Sequence, residues 1–303
     1  MIQEKIARIN QLKKDQNTLI LAHYYVDEEI QKIADFVGDS YYLAQMATNA
    51  KETTLLMCGV NFMAESAKIL NPKKTVLLPD LNADCPMAHM SSVDKIKNVR
   101  KKYSDVAVVC YVNSSIELKA HSDVCVTSAN ALKIVKALPQ KRIYFIPDQN
   151  LAYFIAQQLP DKEFIFNDGF CHVHAAITTE IVAKEKEKRP KAEILVHPEC
   201  SPNVVALADY VGSTSGIIKQ AGNSPAKEFI VLTEIGVLFE LRKRYPDKSF
   251  YTPTNLMTCP DMKKLNLDKV LQTLENKSPE IIINKALLEQ AKQALDSMMD
   301  LAN

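Results

Sequence analysis

The sequence contains no tryptophan, and only seven of its 303 residues are glycine. It has no G-x-G-x-x-G string and no P-loop pattern, so any phosphate group must be held by helix starts rather than by a glycine cradle. Charge of one sign is also missing. Lys and Arg number 37 against 36 for Asp and Glu, leaving a formal net charge of +1. No run of like charge reads as a nucleic-acid stripe or an anionic-membrane patch, and small-molecule partners are expected instead. Long apolar runs are absent too. Met1 to Gln16 alternates charged and apolar residues at helical spacing, unlike a signal peptide, and no later stretch is long enough to span a membrane. A cytoplasmic location is the expectation. Seven cysteines are an odd number, which argues against a complete disulfide framework and points to buried, metal-bound or catalytic thiols.

What is present is a repeat. With 47% hydrophobic residues the chain can bury a core, and its apolar runs recur with offsets of 88 and 86 residues. One run ends in Ala22-His23-Tyr24-Tyr25, the next copy in Cys110-Tyr111-Val112-Asn113, and the third in Val196-His197-Pro198-Glu199. Downstream, Asp35, Asp123 and Asp209 each precede a short apolar stretch, and Ser40, Ser128 and Thr214 each follow it. A third run (Leu55–Cys58, Ile143–Ile146, Phe229–Leu232) and a fourth (Thr75–Leu78, Glu163–Phe166, Lys248–Tyr251) complete each copy. Four apolar runs alternating with amphipathic segments predict a four-stranded parallel sheet covered by helices on both faces. The chain therefore reads as three homologous three-layer α/β/α modules, related by pseudo-threefold symmetry around a central active site. Their expected limits are 1–103, 104–190 and 191–275, with a C-terminal helical segment, 276–303, packing back on the first module. The first and last helices are expected over roughly Gln3–Asp15 and Ile281–Leu301.

Just past each fourth run stands a cysteine, Cys85, Cys171 or Cys259. Sheets of this class bind ligands at the carboxyl ends of their strands, so the three thiols and the polar pairs are expected on one shared cavity. Three thiolates from three modules suit three corners of an iron–sulfur cluster with one iron left open, or a tetrahedral zinc ion with one open position. His89, His172 and His174 follow two of these cysteines and keep zinc in play. Ser40, Ser128 and Thr214 fall where a strand gives way to a helix. They read as N-caps whose helix starts also face anionic groups. Cys58, Cys110 and Cys125 lie within apolar runs and read as core. His121 reads as structural, and Cys200 is left without a role.

The strings Leu21-Ala22-His23-Tyr24-Tyr25, Gly38-Asp39-Ser40, Phe62-Met63-Ala64-Glu65, Tyr111-Val112-Asn113-Ser114, Thr127-Ser128-Ala129-Asn130, Cys171-His172-Val173-His174 and His197-Pro198-Glu199-Cys200 together resemble the quinolinate synthase family. The resemblance implies a 4Fe-4S enzyme of NAD biosynthesis that condenses iminoaspartate with dihydroxyacetone phosphate, giving quinolinate, phosphate and water. It also implies a functional link to an iminoaspartate-producing enzyme. By the same resemblance Cys85, Cys171 and Cys259 are the cluster ligands, while His23, Ser40, Tyr111, Asn113, Ser128, His197, Glu199 and Thr214 bind substrate. Tyr25 and Glu199 form the acid–base pair, with Tyr111 and His174 as further catalytic groups. Some family members carry an extra cysteine pair near the last ligand, whereas Cys259 has no neighbouring cysteine. The rival readings are a cluster- or zinc-containing sensor without turnover and another iron–sulfur hydro-lyase.

This reading separates the cysteines by experiment. Ser in place of Cys85, Cys171 or Cys259 should abolish a stable cluster. At Cys58, Cys110 or Cys125 it should leave cluster content intact with a stability loss of about 0.5–3 kcal/mol. Iron and sulfide per chain, measured anaerobically across the single variants, distinguish the two groups.

Overall fold

The computed structural model describes residues 2–253 and 257–302. Among the described residues twelve strands form three sheets. The first holds β1 (Thr18–His23), β2 (Phe36–Gly38), β3 (Thr54–Cys58) and β4 (Thr75–Leu77). The second holds β5 (Val106–Tyr111), β6 (Val124–Val126), β7 (Arg142–Ile146) and β8 (Glu163–Phe166). The third holds β9 (Glu193–Val196), β10 (Tyr210–Val211), β11 (Glu228–Leu232) and β12 (Ser249–Tyr251). All pairings between these strands are parallel, and the orders β2-β1-β3-β4, β6-β5-β7-β8 and β10-β9-β11-β12 repeat one topology. The inner strands are continuous apolar runs because helices cover both of their faces, and β1 and β5 are buried along their whole length. Among the described residues no helix is long and apolar enough to cross a membrane.

Two devices recur in register. Asp35, Asp123 and Asp209 stand immediately before β2, β6 and β10. Through Oδ2 each accepts the backbone N–H of a residue in the neighbouring first strand: Ile20 at 2.8 Å, Val108 at 2.7 Å and Ile194 at 2.8 Å. Each donates its own N–H to the carbonyl of that same residue, at 2.9–3.0 Å. The paired bonds start the edge strand in a fixed register. The second device closes a helix. Lys74, Lys162 and Lys248, beside the fourth strands, each place Nζ on two carbonyls at the end of an earlier segment: Ala47 and Ala50, Leu138 and Gln140, Ala221 and Ser224. A cation there satisfies carbonyls left without partners at a helix end.

Two of the three seams between sheets use equivalent donors, Gln31 and Lys119. Gln31 Nε2 donates to Gly236 O at 3.1 Å, and Lys119, fully buried, donates Nζ to Ser114 O at 2.8 Å and Phe62 O at 3.4 Å. At the third seam Asn150 Nδ2 donates to Glu199 O at 3.1 Å. One continuous apolar core runs through the first two sheets and both terminal helices, whereas two separate clusters cover the faces of the third sheet.

The N-terminal helix, Ile2–Asp15, lies against the helix Leu267–Asn276. The last helix, Lys285–Ala302, touches the helices Asn61–Leu70 and Ile116–Ala120 and strand β6. It starts later than the expected Ile281. Residues 279–281 instead run antiparallel beside β4, with Leu78 N–H on Pro279 O (3.2 Å) and Ile281 N–H on Val76 O (2.8 Å). Asn284 Oδ1 then accepts the N–H of Ala286 at 3.0 Å and opens the helix.

Asp209→Ala leaves the buried Ile194 N–H without its side-chain acceptor. It should lower the unfolding free energy by about 1–3 kcal/mol, read from the urea midpoint at unchanged slope.

Candidate functional site

Because every strand is parallel, the three sheets present their carboxyl ends to one cavity. The first module contributes His23, Tyr25, Ser40 and Cys85 to its wall. The second contributes Tyr111, Asn113, Ser128, Cys171 and His174, and the third His197, Glu199, Thr214 and Cys259. Every site residue expected from the sequence thus lines the same cavity. His121, His172 and His89 lie elsewhere: His121 Nδ1 meets Glu117 O at 2.9 Å, His172 is exposed, and His89 pairs with Asp84 at 2.6 Å near the surface.

The capping assignment needs correction. Asp39 and Ser213, not Ser40 and Thr214, are the N-caps, accepting the N–H of Tyr42 (3.0 Å) and Gly216 (3.1 Å). In the second module Asn130 Oδ1 and Thr127 Oγ1 hold the turn before the helix Ala131–Ala137, accepting the N–H groups of Thr127 and Ala129. The three hydroxyls at 40, 128 and 214 are therefore released from capping and face the cavity. Thr214 Oγ1 lies 2.7 Å from Tyr25 Oη, and Ser128 Oγ lies 3.3 Å from His197 Nε2. The sequence could not separate neighbours that are all good cap formers.

A chain of hydrogen bonds crosses the cavity wall. Tyr25 Oη meets Thr233 Oγ1 at 2.7 Å, Thr233 Oγ1 meets His174 Nε2 at 2.9 Å, and His174 Nδ1 meets Glu199 Oε2 at 2.8 Å. Thr233, wholly buried, was not expected from the sequence. The residues in its register are Gly59 and Pro147, so the repeat carries no signal for a hydroxyl there.

Burial alone would raise the Glu199 carboxyl, but His197, His174 and the Tyr111 hydroxyl outweigh it and hold it down to about 2. It is ionised at neutral pH. Burial pushes His23 and His197 down to about 3 even though Glu199 pulls the other way, so both rings are neutral. Burial and then Glu199 push the Tyr25 and Tyr111 hydroxyls well above the ordinary phenol range, and both stay protonated. These five groups of the wall are thus one anion, two neutral imidazoles and two phenolic donors. Asn113 Oδ1 is buried without a hydrogen-bond partner and offers a further acceptor.

The cysteines divide by exposure. Cys58, Cys110, Cys125 and Cys200 are buried, whereas Cys85, Cys171 and Cys259 are partly exposed, and none of the seven is in a disulfide. Cys200 belongs to an apolar cluster beside the third sheet. All three cavity thiols are pushed up: Cys85 by burial, Glu199 and Cys259, Cys171 by burial, Glu199 and Cys85, and Cys259 by burial with Glu234 and Asp261 adding. Three thiols on one cavity wall, each raised by burial and by nearby negative charge, would ionise more readily beside a cationic centre. Ligand atoms of Cys171, His174 and Glu199 also lie within 4.8 Å of one another and could hold one ion, but that ion would engage a single cavity cysteine.

The chain matches the family model described as Quinolinate synthetase A protein over residues 7–300. It is 49% identical over 295 residues to the quinolinate synthase of Clostridioides difficile, covering 97% of each chain. It is also 49% identical over 300 residues to the quinolinate synthase of Caldicellulosiruptor saccharolyticus, covering 99% of each. The quinolinate synthase of Methanosarcina barkeri is 47% identical over 296 residues, covering 98% of this chain and 97% of the relative.

The corrected capping is testable by stability. Asp39→Ala should cost about 1 kcal/mol through the lost cap, whereas Ser40→Ala should stay within about 0.5 kcal/mol of the parent in chemical denaturation.

Proposed function

Because the chain belongs to the quinolinate synthetase A family, we propose that its cavity joins iminoaspartate to dihydroxyacetone phosphate and releases quinolinate, inorganic phosphate and two waters. It is an enzyme of NAD biosynthesis acting on small molecules, fed by an enzyme that oxidises aspartate to the unstable imine. The modules are taken as 1–103, 104–190 and 191–275, with 276–303 as a closing segment. The observation that carries the reading is the relay Tyr25–Thr233–His174–Glu199, which links a phenolic proton donor to a carboxylate proton acceptor across one cavity.

Cys85, Cys171 and Cys259 would hold a 4Fe-4S cluster by three thiolates. When bound, its open iron supplies a Lewis acid for a substrate oxygen. The reaction is redox-neutral, so no electron need be carried. Ser40, Ser128 and Thr214 offer hydroxyls, with Asn113 as an amide, for the carboxylates and phosphate of the substrates, and the helix starts at Ser40 and Thr214 add positive dipole ends. Neutral His23 and His197 donate or accept hydrogen bonds without adding charge.

Glu199 is the ionised group placed to take a proton from carbon during enolisation. Tyr25, held protonated, is placed to give one to a departing hydroxyl. Thr233 and His174 then return the proton from Glu199 to Tyr25, resetting both groups for the next dehydration. The geometry favours this over a sensor, since ligand binding alone requires no linked donor and acceptor.

An anaerobic assay with iminoaspartate generated in place and dihydroxyacetone phosphate added should yield quinolinate and phosphate in equal amounts. No quinolinate from cluster-loaded protein would sink the proposal. Glu199→Gln should keep the cluster and lower kcat by about 10²–10⁴-fold. A loss smaller than about tenfold would reduce Glu199 to a binding group.

A further inference from the structure

Tyr25 is gripped from the third module at both ends. Its hydroxyl meets Thr214 and Thr233, each at 2.7 Å, and its backbone carbonyl accepts from Lys263 Nζ, also at 2.7 Å. The hydroxyl contacts belong to the chemistry already described. The lysine does not.

Lys263 lies one turn beyond Cys259, and its N–H donates to the Cys259 carbonyl at 3.2 Å. Its Nζ also stands 3.3 Å from Glu234 Oε1 and 3.2 Å from Asp27 Oδ1. Glu234 is only 1% exposed. Through Oε1 it accepts the Cys259 N–H at 3.1 Å, and through Oε2 the Gly236 N–H at 2.6 Å. A carboxylate this deeply buried is tolerable only when paired and hydrogen-bonded, and here the loop that carries a cavity cysteine supplies the cation and one of the two N–H donors.

The arrangement is particular to this seam. In the same register the second module has Asp148, whose Oδ1 accepts the Leu151 N–H at 2.7 Å, and the first has apolar Val60. The backbones also approach closely. A Cβ at Gly236 would lie 2.7 Å from both Tyr24 O and Tyr25 Cα, so the main chain of Tyr25 has little room to retreat. Lys263 holds the carbonyl of the same residue.

We infer that Glu234 and Lys263 are a positioning pair that couples the Cys259 loop to Tyr25, so that the seating of this loop sets the place of the tyrosine hydroxyl. The inference rests on the reading in which Cys259 is a cluster ligand and Tyr25 a proton donor. Each side chain acts through another group, Glu234 through the Cys259 N–H and Lys263 through the Tyr25 carbonyl.

The test uses the anaerobically reconstituted holoenzyme. Lys263→Met keeps the apolar stem and removes the charge. It should retain full iron and sulfide, lose iron to a chromophoric iron(II) chelator roughly fivefold faster, and show kcat lowered roughly tenfold with KM for both substrates within about twofold. Glu234→Gln keeps an oxygen for the Cys259 N–H and loses the ion pair, so it should move both readouts in the same direction. The double variant should go no further than the worse single one, as expected of residues acting as one unit. Lys263→Arg should recover most of kcat. Iron release and kcat both near the parent in Lys263→Met, a change in only one of them, or single effects that multiply in the double variant would each overturn the coupling. Should Lys263→Met fail to fold, Glu234→Gln alone must still move both readouts. A parent chain that takes up no iron or forms no quinolinate would sink the cavity reading itself, before the variants are compared.

Discussion

The Glu199 carboxylate, 3% exposed, sits where the three sheets end, and its charge reaches nearly every ionisable group around it. It opposes the burial that neutralises His23 and His197, and it reinforces the burial that keeps Tyr25, Tyr111, Cys85 and Cys171 protonated. One buried anion in a weakly polar medium acts over several ångströms with little screening. The wall therefore behaves as a single electrostatic unit. Its neutral imidazoles and phenols are compatible with two anionic substrates, and a cationic centre among the thiols would complete the balance.

The parallel topology is what permits such a unit. Each sheet brings polar residues to its carboxyl edge, where helix starts and loop N–H groups also gather, and three copies brought together give a cavity with no glycine-rich loop. The recurring Asp and Lys devices serve this end indirectly. Asp35, Asp123 and Asp209 fix where each edge strand begins, and hence where the hydroxyls at 40, 128 and 214 emerge. A one-residue slip there would turn the hydroxyls away from the cavity and bring their neighbours toward it.

Much of this was legible in the sequence because a doubly covered strand must be an unbroken apolar run, and three such sets in register betray a repeat. The cysteines at 85, 171 and 259 and the polar pairs at 23/25, 111/113 and 197/199 stood out for the same reason. Thr233, Glu234 and Lys263 did not. Thr233 and Lys263 gain their meaning from contacts across a seam, with His174 and with the Tyr25 carbonyl, and Glu234 from the N–H of Cys259 in its own module, and nothing in a linear register reports any of these contacts. The caps were displaced by one residue because Asp39 and Ser40, or Ser213 and Thr214, are chemically interchangeable as caps until the backbone chooses. Asp39 takes the extended conformation, with φ −80° and ψ 175°. The last helix was expected to begin near Ile281, yet the Ile281 N–H pairs with Val76 of β4 and the helix begins at Lys285. Tertiary pairing overrode local preference there.

The division of the apolar core carries a mechanical consequence. The first two sheets share one core with the terminal helices, while the third keeps clusters of its own, joined to the first module at Tyr24 and bridged at the seams by polar contacts. Opening energies follow the amount of apolar surface exposed, so the least costly excursion of this molecule is a parting along the borders of the third sheet. Such a parting bares His197, Glu199, Thr214, Thr233 and Cys259 together and leaves the larger core dry. Access to the cavity by that route would expose less apolar surface than opening the core shared by the first two sheets.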